Sequence, residues 1–264
     1  MDDNSVKALA ARLAQARIGR TRIDFLGGQH PPQDETDAYR VQFALHEALH
    51  AGGRDSLGGW KVAVPLPAQY QPIGLTGPAM GGLLKSGLVK SGARFPAGSL
   101  LKPGIECEVA IRMAIDAPQS AGPYTQSSIL PLIGAVMPAI EVVDNRYADF
   151  AAMMGPARIA DDFLQHACVL GKEITDFRSI DFAMITGRSI HNGKELASGQ
   201  GTAVMGNPIA ALAWLANKLI SLGLNLKGGD IVMTGSVHAP QFLDGPGEVE
   251  VGFDELGMVK ASFG

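Results

Sequence analysis

The chain has 264 residues, of which 46% are hydrophobic and 18% charged, and its formal net charge is -4. This composition is typical of a globular protein with a sizeable core and excludes a disordered or fibrous chain. Lys and Arg are scattered among acids, so a basic surface for nucleic acid is not predicted, and no uninterrupted apolar run is long enough to span a membrane. We therefore expect a cytoplasmic protein that binds neither nucleic acid nor membrane, with Cys107 and Cys168 as free, buried thiols.

Two helices are predicted in the N-terminal part. Apolar residues recur at helical spacing from Asn4 to Ile18, and Gly19 supplies a stop signal. A second set of apolar residues on one helical face follows the acidic Asp34 and Glu35 and is closed by glycines at 52–53.

The rest of the chain is predicted to be mostly β-structure. The run WKVAV (60–64) is strand-like, and residues 74–98 are rich in Gly, Pro and Ser, which indicates turns, short strands and a seam between two parts of the chain. One strong helix runs from its cap at Asn207 to Gly223. The pattern around residues 254–257 predicts a closing hairpin. The strand-like runs beyond the seam are IECEVAIRM, AVMPAIEVV, DFAMITG, DIVMTGSV, EVEVGF and MVKASFG.

Three glutamates are candidate metal ligands. Strand alternation puts Glu106 and Glu108 on one face, and Glu141 stands in an apolar run where a charge needs a partner. Three converging carboxylates repel each other unless a cation neutralises them, and oxygen ligands suit Mg²⁺, Mn²⁺ or Ca²⁺. The alternative is that Glu141 pairs with Arg112 or Arg146, and spacing alone leaves both interpretations open.

Lys61 is a second candidate for chemistry, because it lies in an apolar run between Trp60 and Val62. Burial lowers the pKa of a lysine, whereas a nearby carboxylate opposes that shift. The side chain then serves as a proton donor or an electrostatic clamp. The alternative is that the aliphatic part of the Lys61 side chain packs on the core while its ammonium group lies in water.

Further polar groups surround the turn Thr234–Ser236. Its hydroxyls and backbone N–H groups are suited to holding a carboxylate, and His238 follows closely enough to border the same site. Ser198 is a weaker candidate of the same kind. His46 and His50 are four residues apart on a predicted helix, which is more typical of a surface face than of a metal site.

The order of several segments resembles the fumarylacetoacetate hydrolase superfamily, and within it the 2-hydroxypenta-2,4-dienoate (2-oxopent-4-enoate) hydratases. These segments are GGWKVAV, PGIECEVAIRM, MPAIEVVDNRYADF, NGKELASGQGTAVMGNPIAALAWLANKL and LKGGDIVMTGSV. The resemblance implies an α+β fold with a small helical region over residues 1–70 and a mixed β-roll catalytic domain over 71–264. It also implies a homo-oligomer.

The resemblance further implies a metal site and a substrate. Glu106, Glu108 and Glu141 are expected to bind one divalent ion, Mg²⁺ or Mn²⁺ first and Ca²⁺ as a further candidate. Lys61 is expected to face a small 2-oxo acid, with Thr234, Ser236 and Ser198 as substrate contacts. The implied reaction is the hydration of a 2-hydroxydienoate or 2-oxo-enoate in the catabolism of aromatic compounds.

Other activities stay open. A 2-oxo-3-enedioate decarboxylase would form the same metal-stabilised enolate as a hydratase. An acylpyruvate hydrolase would activate water with His30 and Glu35. Positions that differ from the hydratases, namely Ala79, Asp162 and Asn207, allow a third alternative, a catalytically weak paralogue that serves as a binding partner.

Overall fold

The computed structural model describes residues 1–23, 31–51 and 55–264. Within these ranges the α-helices are α1 Asp3–Gly19, α2 Glu35–His50, α3 Pro67–Tyr70, α4 Gln126–Ile129, α5 Gly155–Ala160 and α6 Pro208–Ser221. The strands are β1 Leu57–Ala63, β2 Ala79–Leu84, β3 Leu88–Lys90, β4 Ala93–Phe95, β5 Pro103–Met113, β6 Ile133–Asp144, β7 Gln165–Leu170, β8 Thr186–His191, β9 Lys194–Gln200, β10 Ile231–Ser236, β11 Gln241–Phe242, β12 Gly247–Phe253 and β13 Gly257–Phe263. N-terminal helices followed by mixed sheets confirm the predicted α+β class.

The two predicted N-terminal helices are present as α1 and α2. Asp2 caps α1 by accepting a hydrogen bond of 2.8 Å from the Ser5 N–H, and Asp34 caps α2 through the Asp37 N–H at 2.9 Å. The helices pack against each other and against Tyr147 in one shared cluster of buried apolar residues. The helical region is therefore joined to the β-structure by a common core.

A large sheet carries the site. Its strand order is β2-β1-β10-β5-β6-β7-β3, and β11 pairs with β5. The long strands β5 and β6 are antiparallel neighbours, and β1 runs parallel to β10. Because β1 comes from the first 70 residues, Lys61 is brought close to the glutamates of β5 and β6. The division of the chain at residue 70 stays a prediction.

A smaller sheet, in the order β4-β13-β12-β8-β9, covers the opposite face of β5. The hairpin between β12 and β13 pairs Phe253 with Gly257, which confirms the predicted closing hairpin. A Cβ on Gly187 would lie 2.7 Å from the Cys107 sulfur, so the two sheets approach too closely there for a larger residue. Cys107 and Cys168 are free and buried, as predicted.

One strand prediction was wrong at its start. The run DFAMITG becomes a strand only from Thr186, where β8 begins. Asp181 forms a turn instead, since its carboxylate accepts the Ala183 N–H at 3.1 Å and its carbonyl accepts the Met184 N–H at 3.0 Å. Such side-chain bonding to the local backbone competes with a strand ladder.

Helix α6 belongs to the core. The stretch Gly201–Ser221 is apolar and long enough to pass as a membrane-spanning candidate by composition, with a mean hydropathy of 1.2. Its regular helix has 14 residues, about 21 Å of length, whereas a bilayer core is about 30 Å thick. Leu212, Leu215 and Leu219 are fully buried against the sheets, which explains the hydropathy by packing.

Candidate metal centre

The register of β5 and β6 brings three carboxylates together. Glu106 pairs directly with Glu141 across the two strands, and Glu108 lies two residues further along the same face of β5. One carboxylate oxygen from each residue lies within 4.8 Å of those of the other two. The predicted convergence of these side chains is therefore present in the fold.

Glu141 does not pair with either arginine considered as the alternative. Arg112 binds Glu173 at 2.7 Å near the surface, and Arg146 binds Asp161 at 2.8 Å. The cation that contacts Glu141 is Lys61, whose ammonium donates to the Glu141 Oε1 atom. Lys61 is therefore buried and paired with Glu141, and its ammonium group does not extend into bulk water.

The electrostatics of this cluster are dominated by burial. The pKa of Glu106 is raised to about 7 by burial first and by the Glu141 carboxylate second, with Lys61 opposing both. Burial raises the pKa of Glu108 well above its usual value, and the carboxylates of Glu141 and Glu106 raise it further. Burial by itself would lower the pKa of Lys61, but Glu141 and Glu106 raise it, so the ammonium stays protonated.

Two buried carboxylate oxygens are left over after this pairing. Glu108 Oε1 and Glu141 Oε2 have no hydrogen-bond partner among the described residues. A buried acceptor without a partner is destabilising by about 1–3 kcal/mol, and more when it is charged. A hard divalent cation would satisfy both oxygens, and the all-oxygen donor set fits Mg²⁺, Mn²⁺ or Ca²⁺ better than zinc.

The turn Thr234–Ser236 orients the cluster. The Gly235 N–H donates to Glu108 Oε2 at 2.8 Å, so this turn does hold a carboxylate, but one that belongs to the protein. The Thr234 hydroxyl donates to the Val109 carbonyl at 2.9 Å. The Ser236 hydroxyl oxygen accepts the Cys107 N–H at 3.2 Å, which leaves the hydroxyl proton for another acceptor.

A cavity of about 380 Å³ reaches the carboxylate cluster at Glu106, which lines it. Its polar end contains Lys61, Glu106 and Ser236, and most of its remaining wall is apolar. The volume falls within the range of small-molecule sites, about 300–1,000 Å³. The apolar wall includes Val143, Phe163, Leu164, Pro240 and Phe242.

His238 also lines this cavity, as the sequence predicts. Its Nδ1 lies 2.8 Å from the Ala239 carbonyl, which can only accept, so Nδ1 carries the proton. Nε2 therefore accepts from the Ser189 hydroxyl at 2.8 Å. Burial lowers the pKa of His238, so the ring is neutral near pH 7.

Two predicted residues are not brought to the cavity. Ser198 lies exposed on the edge strand β9 of the small sheet and does not line the cavity, although its neighbour Gly199 packs against Val237. Thr234 is buried behind the carboxylates with its proton committed to a backbone carbonyl. His30 lies outside the described residues, and its proposed pairing with Glu35 therefore stays a prediction.

Asp162 has a structural environment away from the cavity. Its carboxylate accepts the Gly82 N–H at 2.8 Å and binds His46 at 3.0 Å and Arg17 at 2.9 Å. His46 is consequently buried, not on a surface face. Asp162, one of the positions that differ from the hydratases, therefore links α1 and α2 to β2.

The other two differing positions also have local structural roles. Asn207 caps α6 by accepting the Ile209 N–H at 2.8 Å. Ala79 is fully buried and pairs with Ala63 at the end of β1 and β2. Neither residue lines the cavity at the carboxylates.

Sequence reasoning missed a cation in the wall of the cavity. Arg158, on the short helix α5, lines the cavity together with Phe150, and its guanidinium lies 4.2 Å from the centre of that ring. The sequence signal is weak, because Arg158 stands in the apolar stretch GPARIA but is followed three and four residues later by Asp161 and Asp162.

Comparisons with known proteins agree with this fold. The profile of the family described as "Fumarylacetoacetate (FAA) hydrolase C-terminal" matches residues 75–263. A 2-keto-4-pentenoate hydratase from Paraburkholderia phymatum is 32% identical over 99% of this chain and 98% of its own length.

Solved structures lead to the same group of proteins. A 4-oxalocrotonate decarboxylase from Pseudomonas putida G7, complexed with magnesium and adipate, superimposes with a TM-score of 0.92 at 25% identity, covering 100% of this chain and 98% of that one. The same enzyme complexed with calcium and acetate gives a TM-score of 0.90 at 25% identity and the same coverage.

Fold and site together define an α+β protein with a buried carboxylate centre suited to a divalent ion. The family profile spans most of the chain, and the hydratase aligns over nearly all of it. The chain belongs to the fumarylacetoacetate hydrolase family.

Proposed function

We propose that this protein is a divalent-metal-dependent lyase of the hydratase type, acting on a 2-hydroxydienoate or 2-oxo-enoate in the catabolism of aromatic compounds. The observation that carries the proposal is the cluster of three carboxylates, of which Glu108 and Glu141 are buried and Glu106 lines a largely apolar cavity. Two oxygens of this cluster lack a hydrogen-bond partner among the described residues. The similarity to a 2-keto-4-pentenoate hydratase over nearly the full chain supports this reaction class.

Glu106, Glu108 and Glu141 would hold the ion, and their oxygens favour Mg²⁺ or Mn²⁺, with Ca²⁺ as a further candidate. When bound, a divalent ion polarises a 2-oxo group and stabilises negative charge that develops on its oxygen. The Gly235 N–H fixes the orientation of one ligand, Glu108, so that the site is preorganised.

The remaining polar groups would bind and protonate the substrate. Lys61 keeps a proton on Nζ at the inner end of the cavity, where it is placed to orient a substrate or to donate that proton. Ser236 offers a hydroxyl proton to a substrate oxygen. His238 is a neutral neighbour, and the apolar wall excludes water from the hydrocarbon part of the ligand.

Decarboxylation of a 2-oxo-3-enedioate is the second candidate reaction. It is favoured by the close superposition on a 4-oxalocrotonate decarboxylase over the full chain. An acylpyruvate hydrolase is the remaining enzymatic alternative, and replacing His30 with Ala tests it, because only hydrolysis would depend on that side chain.

The experiment is a comparison of two assays on chelator-treated protein with and without added Mg²⁺. A hydratase consumes 2-hydroxypenta-2,4-dienoate, seen as loss of ultraviolet absorbance, whereas a decarboxylase releases CO₂ from 2-oxo-3-hexenedioate. We expect Mg²⁺-dependent loss of the dienoate. Metal binding without turnover of any 2-oxo acid would contradict an enzymatic role and favour the paralogue that acts as a binding partner.

We also propose that the protein works as a homo-oligomer in the cytoplasm. Large apolar side chains remain exposed on the single chain, among them Ile18, Ile115 and Met184. Free buried thiols fit a reducing compartment. Light scattering coupled to size exclusion tests the first statement, and a mass equal to one chain would contradict it.

A further inference from the structure

The cavity wall contains a guanidinium whose charge is not used by the metal centre. Arg158 lines the cavity and is half-buried. Among the described residues, no carboxylate lies within salt-bridge distance of it. Lys61, the other cation of the cavity, is already bound to Glu141. A positive charge without a counter-ion therefore faces a space of about 380 Å³.

The protein holds this guanidinium in a fixed position. Nε donates to the Met153 carbonyl at 2.8 Å, and Nη2 donates to the Phe150 carbonyl at 3.2 Å. The ring of Phe150 covers one face of the group at 4.2 Å. Nη1 has no hydrogen-bond partner in the described part of the chain, so it keeps donors for a ligand.

These contacts are neutral and leave the charge uncompensated. Backbone carbonyls and an aromatic ring orient an arginine without cancelling its charge, and burial accordingly lowers the pKa of Arg158. A planar guanidinium with a free edge is well suited to a carboxylate. The three glutamates do not supply one, because Glu141 binds Lys61, Glu108 binds the turn at Gly235, and none of the three forms an ion pair with Arg158.

We infer that Arg158 is a specificity-determining residue that binds a second carboxylate at the far end of the substrate, so that this enzyme accepts a monocarboxylic dienoate or 2-oxo acid but binds a dicarboxylic one more tightly. The inference rests on the proposed function, which brings the 2-oxo acid end of the ligand to the carboxylate centre. The apolar wall between the two ends suits an unbranched hydrocarbon segment.

The test compares two ligands that differ only at the far end. 2-Oxoadipate and 2-oxohexanoate have six carbons each, and calorimetry on the Mg²⁺-loaded full chain gives both dissociation constants. We expect 2-oxoadipate to bind about 10- to 100-fold more tightly, the range of a charge-assisted hydrogen bond. Arg158→Gln should bring the ratio close to one, and Arg158→Lys should retain part of it.

A matched control variant and a third ligand, pyruvate, separate the outcomes. Arg178→Gln removes another arginine that lies over a phenylalanine, Phe177, but outside this cavity, and it should keep the wild-type ratio. Thermal melts identify any variant that has lost its fold. Equal affinities for the two six-carbon ligands, or a preference that survives Arg158→Gln, would overturn the inference while leaving the proposed function intact. If pyruvate and both longer ligands fail to bind, the proposed function itself fails.

Discussion

Glu106 and Glu141 lie directly opposite each other on neighbouring antiparallel strands. Like charges at such positions are destabilising, and here both are removed from bulk water together with Glu108. Lys61 compensates one of the three acids. The metal-free protein is therefore expected to be under electrostatic strain that a divalent cation relieves.

Neutralising one ligand should separate stability from metal binding. We expect Glu108→Gln to stabilise the metal-free protein by about 1 kcal/mol, because it removes a buried acid without changing the shape of the side chain. The same variant should lose most of the rise in Tm that Mg²⁺ gives the wild type, since a ligand oxygen becomes an amide.

The control is Glu173→Gln, which changes an acid bound to Arg112 near the surface. It should alter neither the metal-free Tm nor the response to Mg²⁺ by more than the small amount typical of an exposed pair. A Glu108→Gln protein that melts below the wild type and still responds fully to Mg²⁺ would argue against a ligand role for Glu108.

Replacing Lys61 should affect turnover more than metal binding. Lys61→Met removes the proton on Nζ and the partner of Glu141, so we expect activity to fall by about 10²–10⁴-fold. Affinity for Mn²⁺ should be kept or increased, because a competing cation is gone. Steady-state kinetics and Mn²⁺ titration check the two effects. Weaker Mn²⁺ binding together with normal turnover at saturating Mn²⁺ would contradict a role in turnover and assign Lys61 to the metal site only.

Two serines test the geometry of the substrate site. Ser236→Ala removes a hydroxyl that lines the cavity, and we expect kcat/KM to fall by about 10-fold, the value of one hydrogen bond of about 1.4 kcal/mol. Ser198→Ala changes an exposed residue on β9 and should leave kcat/KM within two-fold of the wild type. Such a change corresponds to at most about 0.4 kcal/mol in activation free energy. The reverse order would restore Ser198 as a substrate contact.

Acid should weaken the link between the N-terminal helices and the sheet. Burial alone would raise the pKa of Asp162, but His46 and Arg17 hold it well below its usual value. A carboxyl group whose pKa is lower in the folded than in the unfolded protein stabilises the fold at any pH above its unfolded-state pKa, which is about 3.9 for Asp. This stabilisation is lost as the pH falls below that pKa. Urea unfolding from pH 7 to pH 2.5 should therefore show a steeper loss in the wild type than in Asp162→Asn.

At pH 7 the Asp162→Asn protein should itself be less stable, since Arg17 loses a buried partner. Asp254→Asn, which changes an exposed partner of Arg188, serves as the control and should follow the wild-type profile. Parallel profiles for the wild type and Asp162→Asn below pH 4 would contradict the role assigned to this ion pair.

The sequence was most informative where local patterns decide structure. Helices α1, α2 and α6 follow from apolar spacing and capping residues, and the alternation in β5 is enough to put Glu106 and Glu108 on one face. The register with β6 depends on pairing between distant segments. Spacing alone could not decide whether Glu141 meets those two acids or an arginine.

Long-range packing also explains what was missed. Lys61 meets Glu141 only because β1 is inserted beside β10, which no local pattern indicates. Arg158 enters the cavity wall from a helix of six residues, too short for a periodic signal. The role of Ser198 stays a prediction, and its turn-like sequence gives no hint that it lies on β9, the edge strand of the second sheet.

The most direct test of the metal centre is anomalous diffraction from crystals of the protein grown with Mn²⁺. We predict one strong peak between Glu106, Glu108 and Glu141, at about 2.0–2.6 Å from an oxygen of each carboxylate, the range for hard divalent ions. A peak elsewhere, or none at these three side chains at saturating Mn²⁺, would contradict the central claim.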